Sequence, residues 1–215
     1  NALGFYFLGV AFTSKERYSD ALKAFDKALL LDPSNPSTHH FKGVALVQRE
    51  RYNDAVKSFE AALSLDASDA SNYYYLGLSY LELKRYEDAI AANKKATEID
   101  PKLTESNMYQ GIANAELSRY EEAIPLLDKS LSANPSLIEA LICRAKSLFK
   151  LFRYPESIET HDRILSLNPT IIEIWMQKGD ALFSLQRKQD AVLAYSKALE
   201  INMNFAEAWV KKGNA

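Results

Sequence analysis

The sequence predicts an all-α solenoid of antiparallel helix pairs, joined by short turns and stacked one on the next. Three observations lead there. Gly9, Gly43, Gly77 and Gly111 follow one another at intervals of 34, Gly179 lies two intervals further with Ala145 at the midpoint, and Gly213 is one more interval on. Twelve residues after these positions stand the small side chains Ala21, Ala55, Ala89, Ala123, Ser157 and Ala191. Apolar residues also recur at i, i+3, i+4 and i+7, as in Phe5, Leu8, Gly9 and Phe12, or Ala21, Phe25, Ala28 and Leu29, so each run is one apolar helical stripe. A fixed period of this length marks a repeat array, in which each unit buries its apolar face against its neighbours.

The elements of one unit follow in order. The first helix carries the glycine, with an aromatic four residues earlier at Phe5, Tyr73, Trp175 and Trp209. A turn follows, and just ahead of the small residue run Arg17-Tyr18, Arg51-Tyr52, Arg85-Tyr86, Arg119-Tyr120, Arg153-Tyr154 and then Arg187-Lys188. These arginines are expected on the surface and the tyrosines packed at the turn. The second helix opens on Asp20, Asp54, Glu87 with Asp88, Glu121 with Glu122, and Asp190, where negative charge suits the positive end of the helix dipole. Sixteen after the glycine comes a bulky residue, Phe25, Phe59, Leu127 or Tyr195, with Asn93 and His161 as exceptions. The glycine and the small alanines let two helices approach closely, and the aromatics fill the space between them. Pro33, Pro101, Pro135 and Pro169 stop the second helix. Pro36 and Pro155 suit a first helical turn, where no donor is lost. Pro125 is expected as a tolerated proline near a helix start.

By these marks the chain resembles the tetratricopeptide repeat (TPR) family, over residues 2 to 215. The resemblance implies a right-handed superhelical solenoid with units at 2–35, 36–69, 70–103, 104–137, 138–171 and 172–205, and a partial unit at 206–215. Residues 1–10 are strongly apolar and the last unit stops inside its first helix, so a single array that is a fragment of a longer one is expected, with signals or further domains outside it.

The family lines its inner surface with the first helices, at positions three and two before the glycine and one and four after it. Three before stand Tyr6, His40, Tyr74, Met108, Ile142, Met176 and Val210. Two before stand Phe7, Phe41, Tyr75, Tyr109, Cys143, Gln177 and Lys211. One after come Val10, Val44, Leu78, Ile112, Lys146, Asp180 and Asn214. The implied groove is apolar and aromatic over its first four units and charged towards the end. Tyr6, Val10, His40, Val44, Tyr74, Leu78, Met108, Ile112 and Ile142 would contact a partner, while Lys146, Asp180, Lys211 and Asn214 would set its register. A protein or peptide with an apolar segment, such as an amphipathic helix, is the partner expected. Phe7, Phe41, Tyr75 and Tyr109 serve equally well as packing between helices. The family's carboxylate clamp for chaperone tails is not expected, because lysine and asparagine are missing from nearly all the required places.

Other classes are disfavoured. Net charge is −2, which points to neither nucleic acid nor a membrane surface. No apolar run approaches the ~18 residues that span a bilayer. A single cysteine excludes an internal disulfide framework and fits a reducing, cytoplasmic compartment. His39 and His40 are adjacent and diverge on a helix, so no metal is expected. No cofactor is expected either, since the glycines form no phosphate-binding loop. Cys143 lacks an activating histidine and suits packing. A protein-interaction scaffold is therefore expected, not an enzyme. Self-assembly through the apolar face or the ends is the alternative, and a regulatory array joined to a catalytic domain is a third.

Overall fold

The computed structural model describes residues 1–215. It is all-helical, with the helices arranged as consecutive pairs: α1 (Ala2–Thr13) with α2 (Tyr18–Leu31), α3 (Pro36–Val47) with α4 (Tyr52–Leu65), α5 (Ala70–Glu82) with α6 (Tyr86–Ile99), α7 (Glu105–Glu116) with α8 (Tyr120–Ala133), α9 (Ile138–Lys150) with α10 (Tyr154–Leu167), and α11 (Ile172–Ser184) with α12 (Lys188–Ile201), followed by α13 (Ala206–Asn214). The chain divides into two compact units, Asn1–Ala113 and Asn114–Ala215.

The turn inside each pair is built the same way. Glu16, Glu50, Lys84, Ser118, Phe152 and Gln186 all take a left-handed conformation, with φ between 56° and 61°. These positions are themselves 34 apart. In the first pair the Arg17 N–H donates to the Phe12 carbonyl and the Glu16 N–H to the Thr13 carbonyl, each at 2.9 Å. This is the Schellman closure, which satisfies carbonyls that the ending helix leaves open. The same two bonds return at every later turn, down to Arg187 on Leu182 and Gln186 on Phe183.

The arginine that closes the turn also starts the next helix. Arg17, Arg51, Arg85, Arg153 and Arg187 pair with Asp20, Asp54, Asp88, Glu156 and Asp190, three residues on. No side chain caps the helices α2, α4, α6, α8, α10 and α12. Acid in the first turn faces the helix dipole instead, and the arginine holds it there. Arg17 keeps the Asp20 carboxyl below the usual carboxylate range by this hydrogen bond.

A second ladder closes the turns between pairs. Asp32, Asp66, Asp100, Asn134, Asn168 and Asn202 end the second helices in extended conformation. Each accepts a bond on Oδ1 from the backbone N–H two residues on, from Ser34, Ser68, Lys102, Ser136, Thr170 and Asn204. The side chain thus mimics one more turn of backbone. Pro36 and Pro155 lie in first helical turns as expected. Pro125 is the sixth residue of α8, past the first turn, and α8 continues through it to Ala133.

The glycine register has a steric cause. A methyl group on Gly9, Gly43 or Gly179 would lie 2.4, 2.6 or 2.3 Å from ring carbons of Phe25, Phe59 or Tyr195. The ring sixteen residues on, from the second helix of the same pair, occupies the space a Cβ would need. Phe25 and Phe59 are fully buried and Tyr195 is 2% exposed, so a clash cannot be relieved by swinging outward. In the third pair Asn93 packs on Gly77 and donates to the Ala89 carbonyl at 3.0 Å.

Candidate functional site

In the first unit the rings at the predicted groove positions contact one another in series. Tyr6 meets Phe7 at 5.1 Å and Phe41 at 5.9 Å between ring centroids. Phe41 meets His40 at 5.1 Å, His40 meets Tyr75 at 5.8 Å, Tyr75 meets Tyr74 at 4.9 Å, and Tyr74 meets Tyr109 at 5.6 Å. The line is anchored where Tyr75 stacks on the buried Phe59, with planes 8° apart. Edge and stacked contacts of this kind add to area burial and hold ring orientation.

His40 is oriented from behind. Asn72 Nδ2 donates to the Asp69 carboxylate at 2.9 Å, which leaves Asn72 Oδ1 to accept from Nδ1 of His40 at 2.9 Å. His39 serves the backbone. Its Nε2 donates to the Pro33 carbonyl at 2.9 Å, as Nε1 of Trp175 does to Pro169 and Nε1 of Trp209 to Met203. His39 therefore continues the aromatic position four before the glycine. No three His, Cys, Asp or Glu side chains assemble at metal-binding separation.

The structure separates the predicted contact residues by exposure. Tyr6, Val10, His40, Val44, Tyr74, Leu78 and Ile112 are half-buried and Met108 is buried. Of the residues that could pack or bind, Phe41 lies against the Phe25 core, as Tyr6 and Val10 do, and Tyr75 lies against the Leu46–Phe59 core, as Val44 and Leu78 do. Phe7, on the first helix, is 59% exposed.

In the second unit the charged positions hold one another. Asp180 accepts from the Tyr195 hydroxyl at 2.9 Å and pairs with Lys211 at 2.6 Å, and Lys211 also meets Glu207 at 3.1 Å. Burial, together with this carboxylate, raises the Tyr195 hydroxyl well above its ordinary range. Lys146 pairs with Glu116 at 3.1 Å. Ile142 is half-buried and Asn214 exposed. Burial pushes the Cys143 thiol up to about 11, so it stays protonated and unreactive near neutral pH.

Sequence reasoning missed one feature beside these charges. A recess of about 220 Å³ lies between α9, α10 and α11, lined by Ala145, Lys146, Phe149, Lys150, His161, Gln177 and Asp180. His161 is 1% exposed. Burial lowers its pKa to about 4. The available signal was that Ala145 and His161, both departures from their registers, lie in one unit sixteen residues apart.

Comparison with known proteins agrees with this architecture. Three tetratricopeptide repeat family models match residues 2–35, 42–103 and 172–204. No curated protein is significantly similar in sequence. Among solved structures, YrrB, described as a TPR protein with an unusual peptide-binding site, has a TM-score of 0.79 at 20% identity, over 89% of this chain and 99% of that one. PilF of Pseudomonas aeruginosa has a TM-score of 0.79 at 18% identity, over 100% of this chain and 97% of its own. MamA AMB-1 has a TM-score of 0.72 at 22% identity, over 79% and 92%. At these identities the likeness is one of fold. No helix is long and apolar enough to cross a membrane. The glycine–ring registers, the repeated turns and the three matched segments together make this chain a member of the tetratricopeptide repeat family, whose fold supports a protein-interaction scaffold.

Proposed function

We propose that the first unit binds an apolar segment of a partner protein, presented as a peptide or an amphipathic helix, along the ring line from Tyr6 to Tyr109. The observation that carries this is the half-exposure of rings already held in fixed orientation. Tyr6 and Tyr74 are each fixed by neighbouring rings yet keep surface in water. Rigid aromatic groups bury large area at little entropic cost on binding, which is why interfaces favour them. Val44 and Leu78 continue the surface between them, half-buried against the core. YrrB, which shares the fold, is described as a peptide-binding protein, and that supports the reading.

The rival occupant of this surface is a second copy of the chain. Leu3 and Leu8 on α1 are 53% and 44% exposed and lie near Phe7 in sequence, and apolar surface of this kind invites association. The double replacement Tyr74→Glu with Ile112→Glu separates binding from folding. Binding of amphipathic-helix peptides is expected to be lost while helicity and melting stay near those of the parent. Unfolding of the double variant would make these residues core and end the proposal.

A further inference from the structure

One side chain in the ring line of the first unit has its hydrogen-bonding role fixed. Asn72 Nδ2 faces the Asp69 carboxylate, which can only accept. The atom 2.9 Å from Nδ1 of His40 is therefore the Asn72 carbonyl oxygen, and Nδ1 carries the ring proton. In the neutral imidazole the other nitrogen, Nε2, then holds a lone pair and has nothing to donate. Nε2 has no partner within the chain, and it is not among the enclosed polar atoms. The half-buried His40 thus brings an oriented, unanswered acceptor to a surface otherwise built from rings and aliphatic side chains.

The surroundings are one-sided in the same sense. His40 borders a recess of about 260 Å³ together with Pro36, Ser37, Phe41, Asp66, Asp69 and Asn72. No lysine or arginine lines it. Asp66 accepts from Ser68, and Asp69 from Ser71 and Asn72, and neither carboxylate is paired with a cation. The Ser68 bonds hold the Asp66 carboxyl below the usual carboxylate range, so it is charged near neutral pH. A carboxylate entering here would be repelled, and a hydrocarbon would leave Nε2 unanswered. A cation that donates N–H answers both the lone pair and the charge. Phe41 and Pro36 add apolar wall, which suits the flat guanidinium better than a compact, strongly hydrated ammonium.

We propose that the recess beside His40 takes an arginine of the partner's segment, its guanidinium donating to Nε2 of His40, facing Asp66 and Asp69, and lying against the Phe41 ring. The proposal rests on reading the ring line as a protein-binding surface, and it names the polar contact that sets the register of the bound segment.

The test uses the full chain and three blocked amphipathic-helix peptides of leucine, alanine and glutamine. They are identical except for one residue at the edge of the apolar face, which is arginine, citrulline or norleucine. The arginine peptide is expected to bind about tenfold more tightly than the norleucine peptide, with citrulline between them. In nitrogen-15 spectra at about pH 8 it should move Nε2 of His40 and leave the ring nitrogens of His161 in place. His40→Phe keeps a ring in the line and removes the acceptor, so it should erase the preference while the norleucine peptide binds as before. Asp66→Asn, at an exposed position, should shrink the preference without changing the melting temperature. Arginine no tighter than citrulline, a preference that survives His40→Phe, or a proton on Nε2 in the free chain overturns the arginine site. So does a preference untouched by Asp66→Asn, which decides the matter even if His40→Phe fails to fold. In any of these cases a norleucine peptide that binds, and is lost in the Tyr74/Ile112 double variant, leaves the scaffold reading standing. Binding by none of the three peptides removes both together.

Discussion

Ala145 and His161 replace, as a pair, the glycine and ring that Gly179 and Tyr195 form one repeat later. A methyl on Gly179 would lie 2.3 Å from Cε1 of Tyr195, so a Cβ at the first position and a six-membered ring at the second exclude each other. Gly179→Ala is therefore expected to destabilise the chain by about 1–3 kcal/mol through overpacking. Adding Tyr195→His should recover part of that loss. A double-mutant cycle in urea measures the coupling, and simple additivity of the two changes would show that the ring and the methyl do not compete.

The same residue makes stability depend on pH. His161 has a folded pKa of about 4 against an ordinary 6.5, so between those values the unfolded chain binds more protons than the folded one. Its contribution is fully present above pH 6.5 and is lost progressively as pH falls towards 4, amounting to about 3 kcal/mol at the acid end. His161→Leu should remove this component of the slope. Urea midpoints at pH 7 and pH 5 check it. An unchanged difference between the two pH values in the variant would exclude His161 as its source.

The left-handed turn residues predict a gain. Glu50 has φ of 56° and is exposed, and L side chains are disfavoured there while glycine is not. Glu50→Gly is expected to stabilise by about 0.5–1 kcal/mol, which raises Tm by roughly 2–3 °C in a chain of this size. A lower Tm would mean that the Glu50 side chain makes a stabilising contact that outweighs its strain.

Much of the fold was legible because packing constrains residue type. Gly9 and Gly43 recur because a ring occupies the Cβ space, so steric exclusion leaves a mark in the sequence. The turn register left no such mark. Glu16, Lys84, Ser118 and Phe152 all adopt the same φ, since two backbone bonds hold the turn and the side chain points into water. Exposure of the groove residues was not legible either. Met108 and Tyr74 share a register, yet Met108 is buried and Tyr74 half-buried. His161 was visible as an exception to the ring register, but its significance needed the burial and the empty space beside it.

The most direct test of the proposed binding surface is the mass of the chain in solution, measured by light scattering after size-exclusion chromatography over a wide concentration range, for the parent and for the Tyr74→Glu, Ile112→Glu double variant. A constant monomer mass for both is predicted, leaving the ring line from Tyr6 to Tyr109 open to a foreign partner. A mass that rises with concentration in the parent and falls to the monomer in the double variant would contradict it, because a second copy of the chain would then fill that surface.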